Sequence, residues 1–487
     1  MLTTKRILNV ITLFASVQVA IILTQIIRSK FISIYLGPEG IGLFSIYNSL
    51  FSFFFTLIGL GLSQGILNVI PSLIQENVKE VNSYLPKLNL LVFVSLLIIL
   101  LPITVFKDLI STFLSKNIEL SDALVYLTAG SIFTALATLR MSFIQSYKLN
   151  DVIVRVKLLH AILSTGLAVI LIYFFRYTGI LLSIILGSII HYIVTLIFSK
   201  RIINYDFDIK NYTIRGTIGD KEFKLIFVVG ITLLLGQFIG QIISNYGNVL
   251  VLNTGDINEV GYWTAARTIL LNYTGLIFVA LNLEFLPRIS SFKNDNVLLK
   301  NNIELQIKAL NLITLLLSVS LFVFSDIILK ILYSSDFIIA SSILKLSLFS
   351  IPFNGVTYTL AYLHLIKDFK IKYVILNSIL PGVIFMILGY ILNKTIGLIG
   401  LGLTLSITSI LHYIFVIYYT EKDFQLKIKN RFDYNFIISI IILASLGILE
   451  LSKLPNILTI KISIFIVTLV FCLKQYMNLT LFNKNDS

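Results

Sequence analysis

Runs of about 20 apolar residues follow one another along almost the whole chain, each long enough to cross a hydrocarbon layer as one helix. With 57% hydrophobic and 13% charged residues, 487 positions cannot be arranged as an ordinary soluble domain. The runs predict fourteen helices, at roughly 7–29, 41–63, 86–106, 121–146, 155–175, 179–199, 224–250, 258–284, 307–333, 338–364, 373–392, 397–420, 435–451 and 457–477. The apolar run after Lys5 and Arg6 passes Ile27 without a small-residue cleavage site, so it reads as a retained first span. The single cysteine, Cys472, excludes an intrachain disulfide and a cysteine-cluster metal site.

Basic residues orient the bundle. When the loops are assigned alternately to two sides, 27 of the 38 Lys and Arg residues fall on one of them, which the positive-inside bias makes cytoplasmic. Both termini are then cytoplasmic, in keeping with an even helix count, and Tyr262 and Trp263 are expected at the outer interface. The net charge of +14 fits cytoplasmic loops on anionic lipid. No basic segment interleaved with exposed aromatics points to nucleic acid.

The chain also repeats itself. Gln18 matches Gln237, Gly42 matches Gly261 and Lys148 matches Lys367, all at one offset in the numbering. Phe106 and Asp108 return as Phe324 and Asp326 with the offset one shorter, and Ile190-His-Tyr-Ile193 returns as Leu411-His-Tyr-Ile414 with it two longer. Six helices separate the copies, an even number, so the halves share one orientation, as in transporters with parallel repeats. The expected fold is all-α and integral to the membrane: two parallel six-helix repeats around a central cavity, plus two C-terminal helices. The lobes are placed at 1–200 and 224–420, joined by a cytoplasmic loop at 201–223 and followed by 421–487.

Polar residues inside spans mark the walls of that cavity. In the seventh helix Gln237, Gln241, Ser244 and Asn248 form one stripe at i, i+4, i+7 and i+11. Gln18 and Gln25 give the first helix a sparser version, and Asn48 lies on a polar face of the second. The plainer alternative is that these groups bond neighbouring helices. A charge at the centre of a span costs at least about 2.5–3.5 kcal/mol, so Arg267 and Lys345 are expected to face protein or water, unless they snorkel outward. Arg28 is near the outer end of the first helix, but the apolar run continues to Leu36, which leaves its depth open. Together the three cations would make an anion site, and arginine's planar fork suits phosphate oxygens. No carboxylate is expected in mid-membrane, which argues against proton-coupled cation export. His191 and His412 are repeat-related and His160 is a lone polar group; packing accounts for them. No metal cluster, nucleophile–base pair or phosphate-cradling loop is present, so no cofactor and no enzymatic role are expected.

The Tyr35-Leu-Gly-Pro-Glu-Gly-Ile-Gly-Leu-Phe-Ser45 connection and the Gly59-Leu-Gly-Leu-Ser-Gln-Gly65 segment resemble polysaccharide transporters of the Wzx (O-antigen flippase) type. These belong to the multidrug/oligosaccharidyl-lipid/polysaccharide superfamily. The resemblance implies two six-helix lobes around a cavity, in a bacterial inner membrane, moving an undecaprenyl-diphosphate-linked oligosaccharide from the inner to the outer leaflet. It implies cationic cavity residues for the diphosphate, and Arg28, Arg267 and Lys345 are the positions assigned to that role here. Membrane lipids and glycan polymerases or ligases are the implied partners. Fourteen helices also fit the lipid II flippases, so a peptidoglycan-precursor flippase stays open as an alternative. A multidrug or cation exporter on the same fold, an integral-membrane glycan polymerase or ligase, and a lipid scaffold are the remaining readings.

Overall fold

The computed structural model describes residues 4–76, 81–114, 120–200, 221–366, 370–424, 433–452 and 456–485. Most of the expected connecting loop at 201–223, and Lys367 of the Lys148 match, lie outside the described residues. Among the described residues every regular element is helical. The chain divides into two compact units, Met1–Gly261 and Tyr262–Ser487.

The first unit opens with α1 (Thr4–Ile58), which is two helices joined at Gly37, with φ 64° and ψ −159°. Glycine enters that region without a steric cost, and Pro38 starts the second leg with its φ already set. The first leg therefore runs to Leu36, about two turns beyond the expected end, because nothing before Gly37 breaks the helix. Then come α2 (Leu62–Gln75), α3 (Tyr84–Val105), α4 (Lys107–Leu114), α5 (Ser121–Ser146), α6 (Asn150–Ser199) and α7 (Lys221–Thr254). Helix α6 is a second hairpin, broken at Arg176 (φ 50°, ψ −122°). The hairpins α1 and α6 pack on each other and on α5, and α7 packs on α1 and α2. The sequence repeat puts α7 at the head of the second copy; its contacts in the first unit are with the first copy's helices.

Helix α8 (Ile257–Arg267) begins in the first unit. Gly42 and Gly261 make reciprocal contacts there: a Cβ on Gly42 would fall on the carbonyl oxygen of Ile257, and one on Gly261 on that of Pro38. Pro38 and Ile257 are related by the same offset as the two glycines. The contact thus repeats itself, as a two-fold interface does. The glycine-rich connection is needed for close backbone approach as well as for its turn.

The second unit continues with α9 (Thr274–Ser291), α10 (Asn296–Leu332), α11 (Ala340–Ser347), α12 (Ser350–Ile366), α13 (Lys370–Val374), α14 (Leu380–Ile396), α15 (Leu398–Phe424), α16 (Tyr434–Ser452) and α17 (Ile457–Asn485). Its core joins Phe285, Ile303, Ile307, Leu360, Val416 and Phe436 from α9, α10, α12, α15 and α16. Helices α16 and α17, outside the duplication, pack on α10. Gly397, at φ 65° and ψ −150°, breaks the chain between α14 and α15. It stands to Arg176 as His412 stands to His191, at the same offset, so the repeat extends to backbone geometry.

Ten of the described helices are long and apolar enough to cross a membrane, or eleven if the bent pair at 335–347 and 350–364 is one span. The tally is below the expected fourteen in part because α1 and α6 each count once. Their qualifying stretches of 43 and 50 residues hold two legs each, where one span needs about 20.

Candidate functional site

Three cations were expected to serve one anion, and their surroundings differ. Arg28 lies nine residues before Gly37, so it sits about 13 Å along its leg from the hairpin break. Its guanidinium stacks 4.7 Å from the ring centroid of Phe44, which lies on the returning leg of the same hairpin. Its buried Nε has no hydrogen-bond partner, and among the described residues no carboxylate lies within ion-pair distance. A guanidinium held by an aromatic face keeps its edge N–H groups for an oxygen acceptor.

Lys345, on α11, is placed otherwise. Its ammonium is 2.9 Å from Glu450 of α16 and 3.4 Å from Asp326 of α10, and Glu450 also pairs with Lys461 of α17. Both lysines are buried, while the two acids retain partial contact with solvent. Two ammonium groups against two carboxylates leave no net charge. Lys345, unlike Arg28, therefore has acidic partners for its charge within the unit that carries it. Those partners come from separate helices, since α10 packs on α11, α16 and α17, and no single helix shows that.

Arg267 is half-buried as the last residue of α8 and makes contacts in the structure. A π-helical turn, Thr268–Tyr273, follows it directly, an irregularity that recurs at functional positions in helices. A second lies at Ile375–Ile379. Trp263, expected at the interface, is instead 1% exposed and stacks on Phe385 at 6.4 Å. Its ring is thus in the interior of the protein, beside Phe385 of α14.

The expected polar lining divides into two groups. Gln18, Gln25, Asn48, Gln237 and Ser244 are exposed within the unit that carries them. Asn248 is buried, and its Nδ2 donates to the hydroxyls of Ser45 (3.0 Å) and Ser49 (3.1 Å), tying α7 to the second leg of α1. Gln241 accepts from Asn245 at 3.3 Å. Gln241 and Asn248 also border a cavity of about 500 Å³ whose other walls include Ile46, Phe53, Phe113 and Phe238. The stripe on α7 is therefore partly an interhelical bond and partly the polar edge of an apolar chamber.

Sequence reasoning passed over one cluster. His160 and His191 stack with ring centroids 4.5 Å apart and planes 29° from parallel. Arg176 lies almost midway between them in the chain, so a hairpin broken there must bring them level. That equal spacing was the available signal, once the break was known.

The family model described as "Polysaccharide biosynthesis protein" matches residues 34–342, well over half of the chain. No curated protein matches by sequence. Among solved structures, lipid II flippase MurJ in an inward closed conformation aligns with a TM-score of 0.71 at 19% identity, over 96% of this chain and 98% of that one. An inward-facing multidrug resistance MATE family transporter of the MOP superfamily gives 0.64 at 17%, over 84% and 98%. A MOP superfamily transporter from Pyrococcus furiosus, described by the reverse polarity of its binding pocket, gives 0.56 at 16%, over 85% and 95%. With its repeated helical bundle and a family match that runs from the first copy into the second, the chain belongs to the polysaccharide biosynthesis protein family and has the fold of lipid-linked flippases and transporters of the MOP superfamily.

Proposed function

We propose that the protein moves a polyprenyl-diphosphate-linked oligosaccharide, the repeat unit of a bacterial surface polysaccharide such as O-antigen, from the inner to the outer leaflet of the cytoplasmic membrane. The observation that carries the reading is Arg28: a cation well inside a span, braced by Phe44, with no carboxylate among the described residues within ion-pair distance. An anionic headgroup supplies what that position lacks. Arg267 is a second position for phosphate oxygens. The exposed amides Gln18, Gln25, Asn48 and Gln237 would hydrogen-bond the sugars, and the prenyl tail would stay in lipid. No bond is made or broken, so the work is to lower the cost of bringing a charged, hydroxyl-rich head through hydrocarbon. Alternating access of the two repeats, with both termini in the cytoplasm, is the mode of transport that parallel repeats support.

The deciding experiment is depletion of the protein, followed by mass spectrometry of polyprenyl-linked lipids. Accumulation of a lipid-linked surface-glycan unit supports the reading, and an unchanged lipid-linked pool contradicts it. A second reading, a lipid II-type peptidoglycan-precursor flippase, is favoured by the near-complete mutual coverage with MurJ and by the extra pair α16 and α17. Accumulation of a peptide-bearing precursor in the same experiment would select it.

A further inference from the structure

One place in the duplicated fold is built differently in the two copies. In the first unit the second leg of α1, with α3, α4, α5 and α7, surrounds the chamber of about 500 Å³, and Ile46, Leu50, Ile103, Leu114 and Leu124 are among its walls. At the offset that relates Gly42 to Gly261, the mates of those five residues are Ala265, Ile269, Phe322, Tyr333 and Ile343. Each of these mates is at most 2% exposed, and Tyr333 stacks on Phe337 at 4.9 Å. The second copy thus packs this place with its own side chains, using Phe322 and Tyr333 where the first has the smaller Ile103 and Leu114. Protein interiors keep few voids larger than a water molecule, so the space left in the first copy has the size of a ligand site.

The walls select the ligand's chemistry. The amides at the edge are engaged with other side chains: Asn245 donates to Gln241 at 3.3 Å, and Asn248 to Ser45 and Ser49 at 3.0 and 3.1 Å. The surface turned to the chamber is almost wholly hydrocarbon. A phosphate or sugar would lose its hydrogen bonds there, whereas a hydrocarbon loses nothing and gains contacts. The chamber reaches the surface of its unit at Phe113, which is 82% exposed.

Its position relates it to Arg28. Ile46 stands nine residues after Gly37 and Arg28 nine before it, so the two lie at about the same distance from the hairpin break. Phe44 meets Arg28, and Ile46, Leu50 and Phe53, two, six and nine residues further on, occupy the opposite face of the leg and line the chamber. The returning leg therefore has a place for phosphate on one side and a place for hydrocarbon on the other.

We propose that the chamber receives a segment of the substrate's prenyl chain while the diphosphate rests at Arg28 and the remainder of the chain stays in lipid. The inference rests on the reading of Arg28 given above and adds where that substrate's chain is held. The chain has to pass round a helix about 10 Å across to reach the chamber, so the site selects long-chain carriers.

The test is photolabelling of the full-length protein in nanodiscs, with labelled peptides mapped by mass spectrometry. The probe is solanesyl diphosphate with a diazirine at the far end of its chain. Geranyl diphosphate bearing the same group is the short comparison, and phosphatidylglycerol with a diazirine-tipped acyl chain is the ordinary-lipid comparison. The long probe should label the segments around Phe53, Phe113 and Phe238, and the short one should not. Giving the chamber the residues of the second copy, in I103F/L114Y, should lower that labelling about tenfold, which corresponds to about 1.4 kcal/mol of lost chain packing. Equal labelling by the short probe, or undiminished labelling of I103F/L114Y, would overturn the proposal. So would labelling by phosphatidylglycerol that excess solanesyl diphosphate fails to displace, which would assign the chamber to bulk lipid. If I103F/L114Y does not fold, the wild-type map decides: long-probe crosslinks confined to other segments overturn the proposal. Arg28→Gln separates the two readings. Weaker binding by that variant, with wild-type crosslinks lying outside the chamber, overturns this inference alone; undiminished chamber labelling in Arg28→Gln overturns the Arg28 reading and this inference with it.

Discussion

Arg28 and Lys345 are both cations within apolar helices, and they have been given opposite neighbours. Lys345 faces Asp326 and Glu450, with Lys461 completing a neutral set that fastens α16 and α17 to α10 and α11. Arg28 faces the π-cloud of Phe44, with a buried Nε left unpartnered. A buried charge without its counterion is costly, so a fold that keeps one has a use for it, whereas a balanced set needs no ligand to explain it. Position inside a span does not by itself mark a binding residue; the state of its charge does.

Removing Lys345 gives the largest stability effect by which this contrast can be broken. Lys345→Met should cost about 3 kcal/mol, the low end for one partner of a buried pair, because the acids keep some solvent and Lys461 remains. Thermal unfolding in detergent should show it, and transport per folded molecule should be unchanged. If the variant were as stable as wild type and inactive, Lys345 would return to the substrate site.

Next comes the reciprocal glycine contact. Gly42→Val pushes a side chain onto the carbonyl of Ile257 and should destabilise the first unit by about 1–3 kcal/mol, with Gly261→Val acting alike. A difference of more than twofold between the two would break the symmetry of that contact. Phe44→Leu keeps the apolar volume near Arg28 but removes the ring. It should weaken anion binding by a factor set by about 0.5–2 kcal/mol of cation–π attraction while leaving helix content intact. Titration with a prenyl diphosphate measures it, and unchanged affinity would remove Phe44 from the site.

The smallest effect concerns the hairpin turns. Arg176 holds a φ of 50° where its repeat mate is Gly397, so Arg176→Gly should stabilise the hairpin by about 1 kcal/mol. A lower melting temperature instead would mean that the arginine side chain does more for the turn than its backbone costs.

Much of this was legible in the sequence, since apolar runs, charge asymmetry and a slowly drifting repeat offset are local or periodic signals. They gave the membrane class, the duplication and the polar stripe on α7. The glycine-rich connection named the superfamily because its glycines are needed by geometry, at Gly37 for the turn and at Gly42 for close approach. Tertiary partnerships were not legible. Lys345 meets Glu450 from a distant part of the chain, and which carboxylate reaches a buried lysine depends on which helix ends meet. Trp263 was assigned to an interface from its residue type, but it is buried and stacks on Phe385, which is distant in the chain. The histidine pair needed the break at Arg176, which no glycine or proline announces.

Arg28 is the residue on which the proposed function depends most, and the direct test is transport of lipid-linked oligosaccharide in proteoliposomes, normalised to folded protein. Arg28→Gln should keep the melting temperature within a few degrees and lower transport by about ten- to a hundredfold, the worth of a charged hydrogen bond to phosphate. Arg28→Lys, which retains the charge without the fork, should fall between. Wild-type transport by Arg28→Gln would contradict the claim that this unpaired cation receives the headgroup.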